Sequence, residues 1–361
     1  MITNQMIQNC IEEWSAVSKT VLCVYELNGR MLVNSGAEPD RKTLDDFIES
    51  GADTQTAGDW IFLRVQDDSD PVYVLAAKGA GDTLYMTARM VGTSLKALSR
   101  AYRERVDKDN FYQNLILDNM LLVDVYNRAK KLRIENVQNR LVYLIEVKGS
   151  QDTFARELLK GMFAPQNGDA ITSVDEDHII LIKTMKENPT EEEKQEIADT
   201  IVSLLNTEAM LKVHVSYGSV VAELKDVSKS FKEASVAMEV GRIFYAQREV
   251  ISFASLGIGR LIYQLPKSLC EIFIQEIFGG DIPELDEETL NTLDRFFENN
   301  LNVSETARQL FVHRNTLMYR IEKIQKSTGL DLRSFDDALT FKIALMVEAY
   351  LEYLETTDSR L

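Results

Sequence analysis

Alternating apolar and polar positions run through the first part of the chain in "TVLCVYEL", "RMLVNSG", "DWIFLRVQ", "PVYVLAAKG" and "TLYMTARM", each a period-two pattern that predicts a β-strand. Asn28-Gly29 falls between the first two, a pair suited to a tight hairpin turn because both residue types tolerate positive φ. One short helical patch, Leu44 to Glu49, interrupts this antiparallel pattern. From Thr93 to about Arg133 the pattern turns helical, charged and almost free of Gly and Pro. There Leu95, Leu98, Tyr102, Tyr112 and Ile116 form a partial seam that Arg105 and Asp109 interrupt, which predicts a connecting helix able to pair in a dimer rather than a long coiled coil. Strand and helix then alternate: "RLVYLIEV", a helix from Thr153 to Lys160, "AITSV", "HIILIKTM", a helix from Glu191 to Leu205, "KVHVSYG", and a helix from Val227 to Phe244. Thr190 and Glu193 have the spacing of a capping box, and Ile197, Ile201, Leu204 and Leu205 give the helix that follows one apolar face.

The last seventy or so residues carry the most specific pattern. In "NLNVSETARQLFVHRNTLMYRIEKIQKSTGLDL" Asn302 stands three residues before Glu305, the spacing of a capping box. A helix can therefore begin at Val303 and bury Val303, Ala307 and Leu310. A break at Phe311 and Val312 precedes a second run in which Leu317, Ile321 and Ile324 share one stripe, leaving Arg314, Asn315, Tyr319, Arg320 and Lys323 to face outward. An upstream run with Leu290, Leu293, Phe296 and Phe297 on one face, and Asp286 as its N-cap, supplies a third helix. Two short helices joined by a tight turn, the second basic, are the sequence form of a DNA-reading helix-turn-helix. In that geometry the second helix enters the major groove with its first turn nearest the bases. Base reading is therefore assigned to His313, Arg314 and Asn315, since Arg suits guanine and Asn adenine. Thr316, Tyr319, Arg320 and Lys323 are assigned to phosphates, with Ser304 and Arg308 joining them from the preceding helix. His313 is equally suited to capping the second helix. The terminal run "DALTFKIALMVEAYLEYL" is apolar nearly all round, so it is expected to be buried beneath these helices or against a second subunit.

Charge sharpens this picture. Asn300 to Ser334 holds six basic residues (Arg308, Arg314, Arg320, Lys323, Lys326, Arg333) against three acidic ones (Glu305, Glu322, Asp331). The whole 361-residue chain is −17, so a segment at +3 leaves −20 for the rest. Such a chain repels DNA except at this face, and its binding should depend strongly on salt. No apolar run approaches a membrane span and the amino terminus lacks a signal-peptide pattern, so a cytoplasmic protein is expected. Cys10, Cys23 and Cys270 are odd in number and share no metal-type spacing, which fits a reduced compartment.

Through "LFVHRNTLMYRI", "TGLD" and "DALTFKIALMVEAYL" the chain resembles the carboxy-terminal helix-turn-helix of the PucR and CdaR family of bacterial transcriptional regulators. That pattern accommodates a bulky residue such as Phe311 where a generic helix-turn-helix often has Gly, and it expects the His-Arg-Asn-Thr that follows. "DNFYQNLILDN" followed by "DVYNRAKKL" is similar to the connector of CdaR-type regulators. "VSYGSVVAELKDVSKSFKEASVAMEVGR" is similar to their nucleotide-cyclase-like domain, a relative of the GGDEF diguanylate cyclases. "VYELNGRMLVNSG" resembles the opening hairpin of PAS or GAF sensory modules.

The resemblance implies an α+β multidomain chain. Its expected parts are a PAS/GAF-like antiparallel-sheet sensor over 1–92, a helical connector over 93–136 and a degenerate cyclase-like, ferredoxin-like α/β sandwich over 137–255. A linker over 256–284 and an all-α helix-turn-helix over 285–361 follow. It also implies a regulator, commonly an activator, of a sugar-diacid, purine or amino-acid pathway. The expected partners are operator DNA, a small-molecule effector and a second copy of the chain, with no membrane.

A working cyclase needs close backbone approach and a metal-binding acid on the hairpin between the second and third strands of that domain. Here the hairpin reads Asp175, Glu176, Asp177, His178, with no Gly pair, which predicts a solvated tip and a silent domain. A "GGD" at Gly279 to Asp281 follows a helical run and precedes "IPELDEETL", so it is expected to be a helix stop and linker. With histidines only at 178, 214 and 313 and no nucleophile or paired-carboxylate constellation, neither cofactor nor metal is expected. Two other readings stay open at this point: an enzyme of nucleotide second messengers, and a scaffold whose helix-turn-helix meets no nucleic acid.

Overall fold

The computed structural model describes residues 3–67, 70–79, 83–147, 152–163, 168–279 and 285–358. They fall into two folded units, 1–112 with 130–133, and 113–129 with 134–361.

The first unit is built on a five-stranded antiparallel sheet from β1 (Val21–Tyr25), β2 (Met31–Asn34), β3 (Thr54–Ala57), β4 (Trp60–Asp67) and β5 (Asp70–Lys78), in the order β2-β1-β5-β4-β3. Gly29 takes φ 78° in the β1–β2 turn, as the Asn-Gly pair predicts. Period-two alternation sends Leu22, Val24, Leu63, Val65, Leu75 and Ala77 to one face, where Ile7 and Ile11 of α1 (Asn4–Ser18) join them. Leu84, Ala88, Val91 and Leu95 of α3 (Thr83–Ile116) complete that core. Cys23, Tyr25, Phe62, Val74 and Ala76 point to the other face and meet Leu44 and Phe47 of α2 (Arg41–Ser50). Arg64, from β4, closes the end of α2 by donating to the carbonyls of Phe47, Ile48 and Ala52 at 3.3, 2.6 and 2.8 Å.

Two sequence expectations fail here. "TLYMTARM" is the first turns of α3 and not a strand, because Leu84, Ala88, Val91 and Leu95 at spacings of four and three meet the sheet. The alternation that suggested a strand came from Met86 and Met90, which are 61 % and 53 % exposed. α1 also lies outside the strand-rich reading; Thr3 caps it by accepting from the Met6 N–H.

The second unit takes the end of α3 and most of α4 (Leu122–Leu132), and then runs β6 (Val137–Val147), α5 (Asp152–Met162), β7 (Ala170–Ser173), β8 (His178–Thr184), α6 (Glu191–Glu208), β9 (Val213–Tyr217), β10 (Val221–Glu223), α7 (Val227–Phe244) and β11 (Val250–Ser252). The sheet order is β11-β9-β6-β8-β7, antiparallel except for the parallel β9–β11 pair, with β10 beside the start of β6. Its first four strands and two helices form a βαββαβ unit. β6 is buried on both faces from Arg140 to Val147. Leu141, Tyr143 and Ile145 pack with Ala155 and Leu159 of α5 and with Ala198, Ile201 and Leu205 of α6. The opposite face takes α7, whose Ser230 hydroxyl accepts from the Val142 N–H at 3.1 Å. Just past β9 the backbone comes so near α7 at Gly218 that a Cβ would stand 2.1 Å from the Ser230 carbonyl oxygen, so no larger residue fits. The Thr190–Glu193 capping box of α6 is formed in both directions.

Residues 256–279, expected as linker, are folded. They carry α8 (Ile258–Ile262) and α9 (Lys267–Phe278), and Ile262, Cys270 and Ile274 pack against Ala344, Val347 and Tyr350 of α13 (Phe335–Asp358). Gly257 before α8, Gly259 within it and Pro266 before α9 give this stretch the composition of a linker. Gly279 stops α9 in the left-handed conformation (φ 77°), its N–H bonded to the Gln275 carbonyl; Gly280 and Asp281 of the "GGD" lie outside the described residues.

Candidate nucleic-acid interface

Three helices, α10 (Glu287–Glu298), α11 (Val303–Gln309) and α12 (Arg314–Thr328), share a small core of Leu293, Phe296, Ala307, Leu317, Ile321 and Ile324, closed by Leu332 and by Phe341 of α13. Asp286 caps α10, accepting from the Thr289 N–H at 2.7 Å, and hydrogen bonding from the Thr289 side chain, then from that backbone N–H, holds its carboxyl below the usual range. Asn302 caps α11 by accepting from the N–H groups of Ser304 and Glu305, both at 3.1 Å. The reciprocal half of the expected capping box is absent, because Glu305 turns instead to Arg308 and Gln309 while the Asn302 N–H bonds the Asn299 carbonyl. Leu290, expected on the apolar face of α10, is 40 % exposed because the core contact of that helix is carried by Thr292, Leu293 and Phe296.

The turn between α11 and α12 is short. The Phe311 N–H reaches the Arg308 carbonyl at 3.2 Å and the Val312 N–H reaches that of Ala307 at 3.0 Å, with Phe311 in the left-handed region. His313 then takes extended backbone angles and caps α12, its Nδ1 accepting from the Asn315 N–H at 3.2 Å. An accepting Nδ1 requires a neutral imidazole to carry its proton on Nε2, which leaves that N–H as an outward donor. Both roles weighed for His313 are thus compatible: the cap is formed, and the ring remains exposed.

Arg314, Asn315 and Thr316 form the exposed first turn of α12, and Tyr319 (68 % exposed) and Lys323 continue that surface one and two turns on. Ser304 and Arg308 are exposed on α11, with Arg308 paired to Glu305 at 2.5 Å. Arg320 departs from expectation. It points back to α10, where its guanidinium pairs with Glu288 and donates to the Thr292 hydroxyl at 2.9 Å, leaving its side chain 19 % exposed. Its position beside the Leu317–Ile321–Ile324 stripe places it at the edge of the buried face. The partners that draw it in lie on another helix, so nothing within α12 announces them.

Of the six basic residues counted in this segment, Arg308, Arg320 and Arg333 are paired within the unit, Arg333 to Asp331 at 2.7 Å. Arg314, Lys323 and Lys326 have no ion-pair partner within 4.0 Å among the described residues, so the positive charge left to an external anion is carried by α12. Phe311, the bulky turn residue noted in the sequence, stands 97 % exposed beside this helix, an exposure that its position in the turn does not announce.

In the central domain the Asp175–Asp177 tip folds on itself. Asp175 Oδ1 accepts from the N–H groups of Asp177 and His178 at 3.0 and 2.8 Å, and its carboxylate meets His178 Nδ1 at 2.9 Å. No helix of the described residues is long and apolar enough to cross a membrane.

A capped helix pair, a tight turn and a cationic second helix on a three-helix core define a DNA-binding transcriptional regulator of the helix-turn-helix class. Residues 289–347 match the PucR C-terminal helix-turn-helix domain and residues 119–240 match the GGDEF-like domain. The chain is 23 % identical over 280 residues to the carbohydrate diacid regulator of Escherichia coli (strain K12), covering 74 % of this chain and 72 % of that one. It is 28 % identical over 144 residues to the purine catabolism regulatory protein of Bacillus subtilis (strain 168), covering 39 % and 27 %. A further match, at 28 % over 142 residues, is the proline-responsive transcriptional activator PutR of the same organism, covering 37 % and 34 %. The two domains and these relatives place the chain in the PucR/CdaR family of regulators.

Proposed function

We propose that this chain binds operator DNA through the first turn of α12 and controls the use of a small metabolite in the cytoplasm, most simply as an activator. The observation that carries this reading is the exposed run His313-Arg314-Asn315-Thr316 at the start of a capped helix, with Arg314 lacking an ion-pair partner among the described residues of a chain of net charge −17. Arg314 and Asn315 suit bidentate contacts to guanine and adenine, with His313 Nε2 as a third donor to a base edge. Thr316, Tyr319 and Lys323 follow along α12 as phosphate contacts, joined by Ser304 and Arg308 from α11. Arg320 acts at one remove, holding α12 on α10.

The amino-terminal unit is the sensor in this proposal. Its strand order β2-β1-β5-β4-β3, with helices on both faces, supports a PAS/GAF-like module, and the names of the relatives support a diacid, purine or amino acid as effector. The central domain is catalytically silent in this reading, since Asp175 is spent within its own turn. Half-site geometry calls for a homodimer.

The test is binding of the full chain to its own upstream DNA and to random duplex of equal length across a salt series. Preference for the upstream fragment that survives rising salt is expected; failure to bind any duplex, with or without candidate effectors, overturns the proposal.

A further inference from the structure

Phe311 combines two features that a folded chain ordinarily avoids. Its backbone sits at φ 55°, a conformation that crowds any residue with a Cβ and that Gly adopts freely. Its ring is 97 % exposed. The backbone of the turn is satisfied by the Phe311 and Val312 hydrogen bonds, so what the turn asks of this position is a left-handed residue, and Gly would answer without strain. Leu301, at φ 63° in the connection before α11, makes the contrast clear. Its side chain packs into the three-helix core, and that burial offsets the backbone strain. The Phe311 ring gains no such burial within the chain.

The position of the residue says where burial comes from. Phe311 lies two residues before the capping His313 and three before Arg314, at the end of α12 whose first turn is proposed to face the bases. Local strain and an exposed aromatic ring together, beside a binding surface, mark a residue whose packing is completed by the partner. We infer that Phe311 is a DNA-contact residue, its ring docking against apolar surface of the duplex, a thymine methyl or a deoxyribose face, alongside the first turn of α12. The inference rests on α12 being the helix that reads DNA.

The experiment uses the full chain and duplexes that the wild-type protein itself selects from a randomised library. Affinity and melting temperature are measured for wild type, F311G and F311A. F311G is expected to melt no lower than wild type, because strain is relieved and little packing is lost. Its affinity for the selected duplexes should fall roughly tenfold or more, the scale that burying a ring of this size contributes. Replacing thymines by deoxyuridine removes the methyl groups. Wild-type affinity that drops on this change while F311G affinity does not assigns the contact to a thymine methyl; equal F311G losses on both duplexes assign it to the sugar. F311G and F311A that bind as tightly as wild type overturn the inference and leave the role of α12 standing. A wild-type chain that selects no duplex overturns the reading of α12 itself, and this inference with it.

Discussion

At the start of α12 one imidazole holds the helix end and faces outward, so its two roles can be separated by substitution. His313→Asn keeps a side-chain acceptor at the cap and should leave the melting temperature nearly unchanged. His313→Ala should lower it. If the Asn variant is as stable as wild type but binds the selected duplex less tightly, the imidazole touches DNA; unchanged binding would limit His313 to capping. Arg314→Ala is expected to weaken binding at a selected site by about 1–3 kcal/mol and relax preference at one base pair. Lys323→Ala should weaken all sequences alike and make the salt dependence shallower. Competition titrations with selected and random duplexes distinguish the two, and equal losses on both duplexes for Arg314 would remove it from base reading.

On the scale of elements, the contact between α10 and α12 depends on Arg320 as well as on Leu317 and Ile321. Arg320→Met keeps the apolar stem but removes the hydrogen bond to Thr292 and the pairing with Glu288, and should cost about 1–2 kcal/mol in chemical denaturation. Most of that belongs to the Thr292 bond, because Glu288 is 71 % exposed and its pairing is screened. A variant as stable as wild type would show that the core alone fixes α12. The same helix shows what a sequence can and cannot reveal. Leu317, Ile321 and Ile324 were legible because a buried stripe repeats within its own element. The inward turn of Arg320 was not, because its partners lie 28 and 32 positions away. α7 could be read to its ends as Val227–Phe244, since one long amphipathic run follows a strand and a turn. The beginning of α3 was misread because exposed Met86 and Met90 mimic strand alternation. α8 escapes the sequence because it is only five residues long, while α9, legible as the helical run before Gly279, falls in the expected linker because its burial depends on α13, some seventy residues further on.

Across the second unit, a polar chain links the sheet to the carboxy-terminal helix. Glu146 on β6 receives the Arg242 guanidinium at 2.6 Å and faces His214 at 3.4 Å. Arg242 also pairs with Glu239 at 2.7 Å, and the Tyr353 hydroxyl donates to Glu239 at 2.5 Å. Burial, then the bond to Glu239, pushes the Tyr353 phenol up from an ordinary 10.0 to about 12. A raised folded-state value means that this contribution to stability is intact below pH 10.0 and is lost as pH climbs through about 12. Tyr353→Phe should therefore flatten part of the alkaline fall in melting temperature over that window, and an unaltered profile would show that the phenol does not ionise with unfolding.

α13 takes part in two cores: Phe341 closes the three-helix unit, while Ala344, Val347 and Tyr350 close the layer formed with α8 and α9. The DNA-reading end is for that reason not a detachable head. A fragment begun at Leu285 would keep its three helices but bare the apolar side of α13, and should clump or seek a substitute surface. Cutting the intact chain at a peptide bond between Phe278 and Leu285 would leave the two pieces clasped through α13.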